Sequence, residues 1–221
     1  MYDRLIKLIG EEKFAKLENK SVAIIGLGGV GGTVFEALVR SGVSHFKVFD
    51  NDVFEESNLN RQILSNNNNI GNFKALEAVE KTKKLNEKII VDAYTVKIDE
   101  DTVKLIGNVS FIIDACDDIK AKLALVKYAH GKNIPIICAL GTGKRLNPQN
   151  VVITTLNKTI NDPLAKKFRY EMRKRVLDLN IPVVYSKEEP LSKENVIASS
   201  IFVPSTAGLM IAYYVFDKLI K

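Results

Sequence analysis

A mostly parallel α/β sheet, covered by helices on both faces, is the fold the sequence predicts. Three features carry that prediction. Short runs of β-branched and apolar residues alternate with helical stretches along most of the 221 residues. A cluster of glycines closes the first run, and an acid closes the second. Strands separated by helices are joined by crossovers, which implies parallel pairing.

The elements follow in order. Met1 to Lys7 alternates charge with apolar residues and lacks the long apolar core of an export signal, so a cytoplasmic protein is expected. Val22-Ala23-Ile24-Ile25 reads as a buried strand. Thr33 to Arg40 is helical, with Gly42 as its stop. Phe46 to Phe49 is the second strand, ending at Asp50. Ser65 to Asn69 is polar and turn-like, a mobile surface loop. Further strands are predicted over Ile89 to Val96, Val109 to Ala115 and Ile134 to Leu140. Helical stretches lie between them, over Phe73 to Leu85, Asp101 to Ile106 and Ile119 to Ala129. Past Leu140, Gly141-Thr142-Gly143 is a turn, and Val151 to Thr155 and Val183 to Tyr185 are added strands around a basic helix. A strand over Ile197 to Val203 and a core helix from Ser205 complete the chain. No repeat or linker divides it. One domain is expected, with a core over 1–143 and a C-terminal part over 144–221.

Composition narrows the function classes. The chain is 46% hydrophobic and 26% charged, the balance of a soluble globular protein. Ile197 to Phe216 carries no charge, but Pro204, Ser205, Thr206 and Gly208 interrupt it, so no membrane span is expected. Two cysteines, Cys116 and Cys138, exclude a disulfide scaffold and a four-cysteine zinc site, and both read as reduced, buried thiols. His45 and His130 leave no metal cage and read as surface residues. Lys and Arg number 32 against 26 Asp and Glu, a net charge of +6 that matters where it is clustered.

Gly26-Leu27-Gly28-Gly29-Val30-Gly31 follows a strand and opens a helix, which makes the fold Rossmann-like. Gly26 permits the tight turn, and Gly28 lets backbone approach phosphate. Gly31 lets helix and strand pack closely. The helix N-terminus meets the phosphate charge with free N–H groups. Asp50 ends the next strand, where a carboxylate binds ribose. The residues after it argue against a nicotinamide slot. Asp50-Asn51-Asp52 leads to Ser57-Asn58-Leu59-Asn60-Arg61-Gln62 and then to Gly71-Asn72-Phe73-Lys74. Arg61 and Lys74 suit charge developing on phosphate. Asp114-Ala115-Cys116-Asp117-Asp118 places carboxylates at the end of another strand, where one could hold Mg²⁺ and one could cap the helix from Ile119.

Together these motifs resemble the adenylating domain of the ubiquitin-activating-enzyme superfamily, which includes the thiamine- and molybdopterin-pathway adenylyltransferases. The resemblance implies MgATP binding and attack of a substrate carboxylate on the α-phosphorus, releasing pyrophosphate. It implies that Asp50 holds ribose, that Asn58, Arg61 and Lys74 contact phosphates, and that Asp117 supports Mg²⁺. Gly26, Gly28, Gly29, Gly31, Asp52 and Gln62 complete the implied ATP site. Arg4 matches an arginine that reaches the neighbouring subunit's ATP, which implies a homodimer. The chain has no cysteine between Lys144 and Lys221 and no Cys-x-x-Cys pair, which disfavours covalent thiol chemistry.

The C-terminal part carries the clustered charge. Asp162-Pro163 is a helix start. From there to Leu179, Ala165, Phe168, Met172 and Val176 form a buried stripe. Lys166, Lys167, Arg169, Arg173, Lys174 and Arg175 are six cations against Glu171 alone, a candidate nucleic-acid face. This segment, with Val183-Val184-Tyr185-Ser186-x-Glu188-x-Pro190, resembles the tRNA threonylcarbamoyladenosine dehydratase branch. That branch implies adenylation of a threonine carboxylate beside the tRNA anticodon, followed by ring closure with net loss of water. A monovalent cation (Na⁺ or K⁺) and a cysteine-desulfurase/sulfur-acceptor partner stay open. So do two other readings: activation of a sulfur-carrier protein's C-terminal glycine, and a non-catalytic module that keeps nucleotide as a structural ligand.

Overall fold

Alternate residues of the first strand, β1 (Ser21–Ile25), sort to opposite sides. Val22 and Ile24 enter one core, Ala23 and Ile25 the other. A strand buried on both faces belongs inside a sheet covered on both faces. The computed structural model, which describes residues 1–192 and 198–221, has that architecture. Six further strands join β1: β2 (His45–Phe49), β3 (Ile90–Tyr94), β4 (Phe111–Asp114), β5 (Ile136–Ala139), β6 (Val151–Thr155) and β7 (Pro182–Ser186). Their spatial order is β3-β2-β1-β4-β5-β7-β6. All pairings are parallel except β6 with β7, so the two added strands extend the same sheet.

One face is covered by α3 (Gly29–Arg40), α4 (Lys74–Leu85) and α7 (Phe202–Leu219). The other is covered by α5 (Ile119–Lys132) and α6 (Pro163–Lys174). Two short N-terminal helices, α1 (Asp3–Ile9) and α2 (Glu11–Ala15), bury no residue completely. The α3–α7 contact is very close. A Cβ on Gly208 would lie 2.7 Å from both Val30 O and Thr33 Cβ, so only glycine permits this crossing. Among the described residues no helix is long and apolar enough to cross a membrane.

Several expectations are corrected. Ala198 to Ser200 has no regular structure and Phe202 and Val203 begin α7, while Ile197 lies outside the described residues. Pro204 misled the reading, because proline is tolerated in a helix's first turn, where its missing N–H has no intrahelical partner. The basic helix stops at Lys174 rather than Leu179. Val176 is 93% exposed with φ +54°, so it is no part of the buried stripe. The N–H groups of Val176 and Leu177 bond the carbonyls of Arg173 and Met172 at 3.0 Å, a Schellman stop that turns Leu177 inward instead. The glycines Gly29 and Gly31 already belong to α3, and Val103–Ile106 is a 3₁₀ turn rather than an α-helix. Ser65 to Asn69 is held by hydrogen bonds. Asn69 is buried, accepts from Asn66 N, and donates to Leu64 O and Glu77 Oε2. His130 is exposed, but His45 is half-buried with its Nδ1 3.0 Å from Ser44 Oγ.

Candidate nucleotide and substrate site

The strand order reverses between β1 and β4, and ligands bind outside the carboxyl ends of strands at such a point. The glycine loop lies there and is packed to the limit. A Cβ on Gly31 would lie 1.8 Å from Gly26 O, and one on Gly26, whose φ is +87°, would lie 2.8 Å from Ala115 O. These two positions therefore require glycine. At Gly28 a Cβ would meet only Gln62 Nε2, 3.9 Å away, so the backbone there faces open space. Asp50 grips the loop: its Oδ2 accepts from Leu27 N at 2.6 Å and its Oδ1 from Asp52 N at 2.9 Å. Burial raises its carboxyl above the usual aspartate value, opposed by those hydrogen bonds and by the charge of Lys74.

The chain after β2 folds back over this loop. Val53 bridges Phe73, and Lys74 N donates to Asp52 O at 3.0 Å. This brings Lys74, 6% exposed at the head of α4, beside Asp50, with its Nζ 3.2 Å from Asp52 Oδ2. Arg61 lies over Gly29, where a Cβ would come within 3.2 Å of Arg61 O and 3.8 Å of its Cγ. Its guanidinium donates to Ser57 O at 2.6 Å and Asn60 Oδ1 at 3.0 Å. Gln62 is buried, and its Oε1 has no hydrogen-bond partner. An orphaned amide beside the open space at Gly28 is the mark of a site shaped for a polar ligand. Asn58 is placed differently from expectation. It is buried in a capping box, where its Oδ1 accepts from Glu55 N, so its side chain shapes the loop.

The two neighbouring aspartates separate cleanly. Asp118 caps α5 by accepting from Lys120 N at 2.8 Å, and its other oxygen pairs Lys97 at 2.6 Å. Asp117 stands exposed at the end of β4. Below them is a pair that sequence reading missed. Lys122 Nζ bonds Asp114 Oδ2 at 2.9 Å and Ala139 O at 2.7 Å, with both charged side chains 0% exposed. The free Asp114 oxygen accepts from Cys116 N and Cys116 Sγ, so this carboxylate also sets the turn that carries Asp117. Burial would push the Lys122 ammonium down, but the Asp114 carboxylate beside it holds it above the usual lysine value. Burial raises both cysteines well above the usual thiol value, which keeps them protonated and unreactive. The signal for Lys122 was its place on the apolar face of α5 with Val126 and Ala129.

The second half of the site region adjoins β5. Asp162 caps α6 through Leu164 N and Ala165 N, and its Oδ2 accepts from Gly141 N at 2.7 Å. Arg145, also missed, is buried and donates to the carbonyls of Glu188, Gly143 and Asn161. Burial lowers its guanidinium, while Asp162 and Glu188 oppose the shift. Asn60 donates to Ser199 O at 2.9 Å, and Lys144 N donates to Ala198 O at 2.8 Å. Ala198 and Ser199, before α7, thus link the loop of Arg61 to the turn after β5. On α6, Lys166, Lys167, Arg173, Lys174 and Arg175 are exposed. Arg175 pairs Glu171, and Arg169 is turned to Thr159 and Leu156, so Arg169 anchors the helix instead of facing outward. Arg4 is exposed on α1, which Tyr2 ties to Val39 O at the far end of α3. That end is about 16 Å along the helix from its own glycine loop.

With this geometry in hand, the known relatives are informative. A model of the ThiF family matches residues 2–200. A Bacillus subtilis tRNA threonylcarbamoyladenosine dehydratase is 31% identical over 96% of this chain and 92% of its own length. The Escherichia coli K12 enzyme of that name is 32% identical over 76% of this chain, a match that spans 63% of the relative. The solved E. coli tRNA N6-threonylcarbamoyladenosine dehydratase in complex with ATP superposes with a TM-score of 0.93 at 27% identity, over 99% of this chain and 93% of that one. A Thermus thermophilus sulfur carrier protein adenylyltransferase is 32% identical over 53% of this chain. Glycine loop, strand order and the match along nearly the whole chain agree: the chain belongs to the ThiF family.

Proposed function

We propose that this protein is an ATP-dependent tRNA threonylcarbamoyladenosine dehydratase. The observation that carries the reading is the extent of likeness. The dehydratases match through β6, α6 and β7, whereas the sulfur-carrier adenylyltransferase matches over about half the chain. In this reading the glycine loop and the N-terminus of α3 receive the phosphates and Asp50 holds the ribose. Arg61 and Lys74 stabilise charge on the phosphates as the threonine carboxylate attacks the α-phosphorus and pyrophosphate leaves. Attack from within the modification then closes the ring. The former carboxylate oxygen departs on AMP, which accounts for the net loss of water. No enzyme thiol takes part, in keeping with two protonated cysteines: Cys138 is buried as expected, while Cys116 is only half-buried.

Asp117 is the carboxylate free to hold Mg²⁺ with the phosphates, a mode that needs only one or two protein oxygens. The ion would neutralise phosphate charge. Asp117→Ala is expected to raise the Mg²⁺ concentration needed for half-maximal adenylation, whereas Asp50→Ala raises the ATP requirement at any Mg²⁺. A common Mg²⁺ dependence for both variants and the wild type would remove Asp117 from this role. A monovalent cation and a sulfur-acceptor partner are compatible with the reading but are not needed for its chemistry. In this reading the enzyme works in the cytoplasm, with its tRNA substrate.

Arg4 serves the neighbouring subunit in a homodimer, since it sits at the wrong end of α3 for its own ATP. Mixing Arg4→Ala with Lys74→Ala subunits is expected to restore part of the activity lost in each. No rescue in an exchanging mixture, or a monomer by light scattering, would end the assignment. The reading as a whole is tested by ATP–pyrophosphate exchange with modified tRNA, unmodified tRNA or a sulfur-carrier protein. Exchange with modified tRNA supports it. Exchange only with the carrier replaces it with the sulfur-carrier reading, and no exchange with any of the three favours a binding module.

A further inference from the structure

The outward face of α6 carries an aromatic residue that the reading above leaves unused. Tyr170 is 60% exposed. At 3.6 residues per turn it stands opposite the buried stripe of Ala165, Phe168 and Met172, with Lys166 and Lys174 one turn away and Lys167 and Arg173 three residues to either side. All four of these cations are exposed, and Lys174 Nζ lies 5.6 Å from the Tyr170 ring centroid. A lone exposed aromatic is ordinary on a protein surface, so it is the cations around Tyr170 that set it apart. Ringed by cations it has the makeup of a nucleic-acid platform, in which charge tracks the backbone and an aromatic takes an unstacked base.

We propose that Tyr170 is a base-stacking residue that selects unpaired nucleotides of the RNA, with Lys166, Lys167, Arg173 and Lys174 holding the flanking phosphates. The proposal rests on the tRNA reading and deepens it. A duplex keeps its base faces stacked and can satisfy only the cations, whereas a loop can offer a base face as well. The placement suits the reaction. Asp162, the cap of α6, bonds Gly141 at the end of β5, and Tyr170 lies about 12 Å along the helix from that cap. A loop stacked on Tyr170 is thus held on the helix whose cap meets the end of β5, about two turns away from that edge.

The test measures equilibrium binding of a tRNA anticodon stem–loop and of a continuous RNA duplex with the same number of phosphates. Wild type is expected to prefer the stem–loop. Tyr170→Ala is expected to weaken stem–loop binding on the order of ten-fold, to leave duplex binding unchanged, and to keep the log–log salt slope. Tyr170→Phe should retain the preference, because the ring and not the hydroxyl carries it. Unchanged stem–loop affinity in Tyr170→Ala overturns the proposal. Equal losses on both RNAs also overturn it, since the ring would then act only by positioning Lys174. A wild-type protein that binds neither RNA overturns the tRNA reading itself, and this proposal with it.

Discussion

Lys74→Ala is expected to slow adenylation by on the order of 10²-fold or more while unfolding close to wild type. The expected loss is kinetic because of where the charge sits. Lys74 is buried at the head of α4, next to Asp50 and the open space at Gly28, while its partner Asp52 is 63% exposed. An ion pair with one member in water contributes about 1 kcal/mol or less to stability. Held at the phosphates and shielded from solvent, the same charge is worth far more as negative charge develops in the transition state. Arg61→Ala, which removes the side chain lying over Gly29, is expected to act in the same direction. Pyrophosphate exchange rates beside thermal unfolding decide the matter. A variant that adenylates near the wild-type rate removes its residue from phosphate chemistry, and equal losses of rate and fold would recast it as structural.

Lys122→Met is expected to be the most destabilising of the single substitutions considered. It strands the Asp114 carboxylate in a space with no solvent access and breaks the link to Ala139 O. Removing one member of a fully buried pair typically costs about 3–5 kcal/mol, a large part of a domain's total stability. Thermal unfolding should shift down by roughly 10 °C. Removing both charges together is much less costly, so Asp114→Asn combined with Lys122→Met should recover part of the loss. A Lys122→Met protein with the wild-type transition would mean that water or a neighbour satisfies Asp114. If the double variant falls as far as the single one, the ion pair is not the source of the loss.

The parts of this molecule that were legible in the sequence are those governed by short-range rules. The glycine loop, its acid and the alternation of strands and helices depend on residues a few positions apart, and they stand where expected. The cap at Asp162 and the division between Asp117 and Asp118 follow from local helix-end chemistry. What stayed hidden depends on residues that meet only after folding. Lys122 went unread, because its partners Asp114 and Ala139 O come together only once β4 and β5 pair. Arg169 belonged to the charge cluster by count, but its guanidinium faces Thr159. Val176 continued an apolar period that the backbone abandons at Arg175. Arg145 had no local signal, since its partners come from loops before and after α6.

The crossing of α3 and α7 through Gly208 has a consequence for the order in which the protein becomes competent during synthesis. The helix that begins with the phosphate-binding glycines is made early, but the helix that buries its outer side is the final one. A chain emerging from the ribosome completes β1, the glycine loop and β2 long before Pro204 and Gly208 are available to close over Gly29 and Val30. Contacts so distant in sequence form late and slowly. A chain that has not reached α7 therefore carries the whole glycine motif without the packing of Pro204 and Gly208 against Gly29, Val30 and Thr33. The α3–α7 contact thus ties the glycine loop to the part of the chain between α5 and α7, which has to be made before that contact can form.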